Sequence, residues 1–149
     1  MATPTRATAG GRIQYAALSY RRNRASRTEV LLVTSRETGR WIIPKGWPIK
    51  RRTPQVAAAR EAQEEAGVVG KISRRPIGWF SYEKRLKRGI VIICKVHVFA
   101  LKVKRQQESW PEKGQREVQW MSRTKAAKAV ADSKLGSIIR MLKKAPLRA

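Results

Sequence analysis

Arg60-Glu61-Ala62-Gln63-Glu64-Glu65-Ala66-Gly67-Val68 places three of the chain's ten acidic residues within five positions, and the reading of the whole chain turns on it. Gln55 to Ala66 is almost unbroken Ala, Glu, Gln and Arg, all compatible with a helix. Thr53-Pro54 supplies an N-cap followed by proline at the first helical position, and Gly67 supplies the residue that most easily takes a left-handed C-terminal cap. At about 100° per residue, Glu61, Glu64 and Glu65 occupy an arc of roughly 100°, with Val56, Ala59, Ala62 and Ala66 opposite them. One face is therefore expected to pack, and the other to carry the acids toward solvent. Like charges three and four residues apart repel on a helix. Arg60 offsets one of them, and a hard divalent ion, which prefers carboxylate oxygens and bridges readily to phosphate, would offset the rest.

On either side of this helix the chain reads mainly as strands. Ile13–Tyr20, Val30–Val33 and Trp41–Ile43 are short apolar runs, the last two separated by a turn over 35–40. A loop rich in Gly, Pro and bases spans Pro44–Arg52. After the helix, Ile72–Phe80 and Ile90–Val103 carry β-branched and aromatic residues and form a hairpin joined by the basic connection Lys84–Gly89. A polar stretch, Lys104–Gln115, leads to a strand at Val118–Met121. Apolar spacing at Leu135, Ile138, Ile139 and Leu142 marks a terminal amphipathic helix. This pattern predicts an α/β fold of mixed layers rather than regular βαβ winding. Met1–Gly11 is expected to be a loose tail, with a single domain over 12–145.

The 149-residue chain suits one core. Its 34 Lys and Arg against 10 Asp and Glu give a formal net charge of +24, which implies a polyanionic partner or substrate. A single cysteine, Cys94, excludes an internal disulfide, and a single histidine, His97, excludes a Cys/His zinc site. Both fall in an expected strand and read as packing residues. A reducing, cytoplasmic location is the natural expectation. The arginine-rich N-terminus has the composition of an organellar transit peptide, but a strand starting at Ile13 is the better reading. No apolar run approaches the about 20 residues that a membrane-spanning helix needs.

Gly46-x13-Arg60-Glu61-Ala62-x-Glu64-Glu65-x-Gly67-Val68 resembles the Nudix box, G-x5-E-x7-R-E-U-x-E-E-x-G-U with U apolar. One named position departs: Arg52 stands where the box has its first Glu. From Val30 to Gly70 the order VLLVTSRETGRWIIPKGW, then AAAREAQEEAGVVG, is similar to the branch that hydrolyses diphosphoinositol polyphosphates and diadenosine polyphosphates. The resemblance implies a Nudix α/β/α sandwich with a mixed central sheet, dependence on Mg²⁺ or Mn²⁺, and hydrolysis of a phosphoanhydride.

By matched position, the resemblance also implies roles for individual residues. Glu61 and Glu65 are the principal metal ligands, while Glu64 holds a second ion or accepts the proton of the attacking water. Arg60 orients the carboxylates, and the Lys45 backbone carbonyl adds a metal contact. Ser35 and Arg36 match polyphosphate-contacting positions, and Arg40, Lys45, Arg85 and Arg88 are candidates for the same cleft because a guanidinium grips phosphate through two hydrogen bonds. Glu112 and Glu117 are candidates for a base from a later loop. Arg52 reduces the acid available to the metals or redirects that position toward phosphate.

Trp41, Trp47, Trp79 and Trp110 are expected mainly in the core, with base stacking as the alternative. A competing function is a non-catalytic module that binds RNA or polyphosphate through charge; another is hydrolysis at an RNA 5′ end.

Overall fold

Two long strands, β1 (Arg12–Arg22) and β7 (Val91–Gln106), run parallel through the middle of the molecule, in register from Arg12 opposite Cys94 to Tyr20 opposite Lys102. Both lie in the interior of the sheet with their two faces covered, so their centres read as nearly continuous apolar runs. The computed structural model describes residues 12–142. The expected tail, Met1–Gly11, and the expected domain end, 143–145, lie outside them.

Around this pair the sheet is antiparallel. β2 (Thr28–Thr34) pairs with β1 and in turn carries β3 (Trp41–Ile42) and β8 (Val118–Ser122). β5 (Val68–Ile72) and β6 (Gly78–Arg85) both pair with β7. A further two-residue strand, β4 (Lys45–Gly46), lies against Tyr15 and Ala16 of β1. The Pro44 carbonyl also accepts from the Ala17 amide at 3.0 Å. The expected loop Pro44–Arg52 is thus tied to the sheet where it passes the helix.

Alternate side chains of the sheet feed two cores. Helix α1 (Pro54–Ala66) covers one face, laying Ala58, Ala62 and Ala66 on Ala17, Leu31, Phe99 and Leu101. On the other face, α2 (Arg123–Ala129) and α3 (Ser133–Met141) pack Ala126, Leu135 and Ile139 on Leu18, Leu32, Val96 and Val98. The result is a three-layer α/β/α sandwich. Helices α1, α2 and α3 each start on side-chain caps that relieve otherwise unpaired amides: Thr53 for Val56, Ser122 for Lys125, and Asp132 for Lys134 and Leu135.

Several expectations from the sequence are corrected. Ile72–Phe80 is not one strand. β5 ends at Ile72, the chain turns across Arg74-Arg75-Pro76, and β6 begins at Gly78. Proline has no amide for a ladder, which accounts for the break. The C-terminal region holds two helices rather than one, because Val130 leaves the helical conformation before Asp132 caps the next. Trp47 and Trp79 are substantially exposed, and only Trp41 among the four expected core tryptophans packs on a buried cluster.

Candidate active site

The Thr53 cap and the left-handed Gly67 (φ 72°) fix where α1 starts and stops, and the sheet fixes its rotation. That rotation differs from the expected one. Val56 is 43% exposed, whereas Glu65 is 3% exposed and lies on the buried side with Ala58, Ala62 and Ala66. An alanine-rich helix has little contrast between its faces, so its periodicity points only weakly inward.

Glu61 lies against β4, so closely that a Cβ on Gly46 would collide with its carboxylate. The spacing from Gly46 to Glu61 therefore has a steric meaning: only glycine lets the strand pass the acid. Glu61 and Glu65 are one turn apart and electrostatically linked. Burial raises both carboxyls, Glu65 to about 8, with the Arg116 guanidinium opposing the rise and the Glu61 carboxyl adding to it. Glu65 Oε1 is fully buried without a hydrogen-bond partner, and its nearest cation, Arg116 Nη2, is 3.9 Å away. Glu64 instead turns to Arg60, whose Nε donates to its Oε2 at 3.2 Å. Among the described residues no three His, Cys, Asp or Glu side chains converge as a metal-holding group. The expected trio is therefore arranged as a buried pair, Glu61 and Glu65, with Glu64 held apart by its ion pair.

Arg116 was not singled out by its sequence. Its side chain is 9% exposed, and it bonds Glu112 Oε1 through Nε at 3.0 Å and the Thr34 carbonyl through Nη1 at 3.0 Å while facing Glu65. The only local signal is the four-residue spacing from Glu112, which carries no weight in an irregular loop. The structure also separates the two late-loop acids. The Glu112 amide donates to the Glu64 carbonyl at 3.0 Å, which brings this acid beside α1. Glu117 is exposed and ties its backbone to Thr34.

A cavity of about 200 Å³ opens beyond Lys45 between β3, β6 and the start of α3. Trp41, Ile43, Phe80, Val130 and Leu135 form its apolar wall, and Ser35, Arg40, Lys45 and Asp132 its polar edge. Lys45 Nζ sits 4.9 Å from the centre of the Tyr82 ring, and burial lowers its pKa to about 8, against the pull of Glu65. Tyr82 in turn donates to Gln14 Oε1 at 2.7 Å.

Of the expected phosphate contacts, Ser35, Arg40 and Lys45 therefore line one cavity. Arg36 instead bonds Gln115 Oε1 at 2.8 Å, and Arg85 and Arg88 are exposed at and just beyond the end of β6. Arg52 is exposed and shares a surface groove with Arg60 and Glu64. Cys94 is fully buried, in keeping with a packing role, and His97 stacks edgewise on Tyr15.

The NUDIX domain family model matches residues 12–142, and the chain belongs to the Nudix family. It is 36% identical over 100 residues to "Nudix hydrolase 12, mitochondrial" of Arabidopsis thaliana, covering 65% of this chain and 49% of the relative. It is 40% identical over 85 residues to mouse "Diphosphoinositol polyphosphate phosphohydrolase 3-alpha", covering 56% of this chain and 48% of the relative. The chain thus spans about half the length of these relatives. In fold it is similar to the C. elegans Ap4A hydrolase, with a TM-score of 0.64 at 21% identity over 90% of this chain and 97% of that one. Among the described residues no helix is long and apolar enough to cross a membrane.

Proposed function

We propose that the chain is a metal-dependent pyrophosphohydrolase acting on a dinucleoside polyphosphate. The observation that carries this reading is the Glu65 carboxyl, buried beside Glu61 with one oxygen left without a hydrogen bond. Such an oxygen is costly unless something satisfies it. Glu61 and Glu65 fit a Mg²⁺ or Mn²⁺ ion, with the Lys45 carbonyl as a further donor, and Glu64 would join them only by leaving its ion pair with Arg60. A bound divalent ion lowers the pKa of water and neutralises phosphate charge. Arg116 holds Glu65 and Glu112 in place, Arg60 orients Glu64, and Glu112 is the late-loop acid near enough to take part. Lys45 offers a cation to the phosphates at the mouth of the apolar cavity.

That cavity favours a nucleoside polyphosphate over an inositol pyrophosphate. Its volume lies below the roughly 300–1,000 Å³ that encloses a drug-sized molecule, so it takes one ring system rather than a whole substrate. A nucleobase presents an apolar face to Trp41 and Phe80, whereas an inositol ring crowded with phosphates does not. The relatives named for diphosphoinositol polyphosphate and Ap4A make both substrates necessary arms of the test.

Product analysis with diadenosine polyphosphate and with diphosphoinositol polyphosphate, each with Mg²⁺ and Mn²⁺, should show turnover that favours the dinucleotide. Glu65→Gln should lower turnover about 100-fold or more. Trp41→Ala should raise KM for the dinucleotide alone. Full turnover by Glu65→Gln, or no turnover of any phosphoanhydride, would overturn the reading. A cytoplasmic location belongs to the same proposal, and imaging of the tagged chain tests it against the organellar names of its plant relatives.

A further inference from the structure

At the far end of β1 from the carboxylates, two concave grooves meet on the surface. One runs between β1, β7 and β8, has a volume of about 470 Å³, and is lined by Arg21, Arg22, Lys102, Lys104 and Arg105 with Trp120. The second, of about 450 Å³, shares Tyr20 and Arg22 with the first and adds Arg27 and Arg123. β4 contacts β1 at Tyr15 and Ala16, so Arg22 lies six residues further along an extended strand, about 20 Å away. The Arg22 end of the grooves is therefore remote from the candidate active site, while the opposite end reaches the C-terminus of α1, where Gln106 Nε2 donates to the Ala66 carbonyl at 2.9 Å.

Among the described residues no acidic side chain lines either groove. Glu29 is nearby, but it is held by Arg21, whose Nε donates to Glu29 Oε1 at 3.0 Å. Arg21 is clamped a second time, its guanidinium carbon 4.0 Å from the centre of the Trp120 ring. A guanidinium held in place in this way is a pre-formed stacking and hydrogen-bonding plane. Trp120 is itself covered by Arg21 and packed on the sheet, so the open plane is the outer face of the Arg21 guanidinium, and a track of cations beside such a plane suits single-stranded nucleic acid. Among the described residues the substantially exposed large apolar side chains are Ile13, Trp47, Val56, Trp79, Ile90 and Met141, none of which lines a groove. Among the described residues the grooves thus offer a concave track for a phosphodiester chain and no exposed apolar side chain to enter a bilayer.

We propose that this composite groove is a binding site for single-stranded RNA, independent of the hydrolytic chemistry assigned to α1. A fluorescein-labelled 20-nucleotide oligouridylate, titrated with the full chain at near-physiological salt and followed by anisotropy, tests it. Lys104→Glu with Arg105→Glu should weaken binding at least tenfold and make it less sensitive to salt. The control pair, Arg74→Glu with Arg75→Glu, removes the same charge from exposed positions in the β5–β6 turn and should change binding less than twofold. Thermal melts of both pairs confirm folding.

Equal losses in the two pairs would show that net charge alone attracts RNA, and would overturn the site. It would be overturned equally by no binding to the wild-type chain, by tighter binding to an RNA duplex of the same length, or by groove-dependent capture of phosphatidylserine vesicles without RNA binding. Hydrolysis of dinucleoside polyphosphate should be unchanged in the groove pair, so failure of this proposal and failure of the catalytic one are distinguishable.

Discussion

Glu65 concentrates the tension in this molecule, since it is an acid folded into an alanine face. Its pKa is raised from about 4.5 to about 8, first by burial, so the folded chain holds a proton that the unfolded chain has released. Between those pH values the unfolded state binds fewer protons, and stability falls as pH rises. Lys45, lowered to about 8, has the opposite sign, and its contribution rises from about pH 8 toward 10.5. Glu65→Gln should therefore melt several degrees higher than wild type at pH 8, with the difference vanishing near pH 4; differential scanning calorimetry across that range checks it. Added Mg²⁺ at pH 8 should raise the melting temperature of the wild type and leave the variant unchanged. A variant that melts at the wild-type temperature at pH 8 would mean that Glu65 carries no burial penalty.

Helix α1 positions the site because its inward side is made of small residues. Ala58, Ala62 and Ala66 are completely buried against Ala17, Leu31 and Phe99, which brings the helix close to the sheet and its carboxylates close to β4. Ala62→Leu should overpack this contact at a cost of about 1–3 kcal/mol, read as a lower urea midpoint at unchanged slope. It should also lower activity more than stability alone explains, since Glu61 and Glu65 flank the altered layer. The extent of this helix is legible in Thr53, Pro54 and Gly67, which act locally. Its rotation is not, because alanine packs in or out at little cost and the acids on its other flank looked solvated. The β5–β6 break, by contrast, is legible in the chain: Ser73-Arg74-Arg75-Pro76 interrupts the apolar residues between Ile72 and Ile77, and Pro76 has no amide for a ladder.

Across the whole chain the formal charge is +24, and among the described residues the only cations in ion pairs are Arg21, Arg60 and Arg116. Self-repulsion on this scale destabilises the compact state. Inorganic tripolyphosphate at millimolar concentration should therefore raise the melting temperature by several degrees more than sodium chloride at the same ionic strength, because a polyanion bridges sites that simple screening does not. Equal shifts would mean that screening alone is at work. The limits of α1, most strand cores, the carboxylate spacing and the excess of positive charge were all written in local residue chemistry and could be read along the chain. The burial of Glu65, the position of Glu112 beside α1, the bridging by Arg116 and the meeting of β1, β7 and β8 in one basic groove came only with folding. Each depends on residues tens of positions apart being brought to one place, and contact between distant segments leaves no periodic trace in a single sequence.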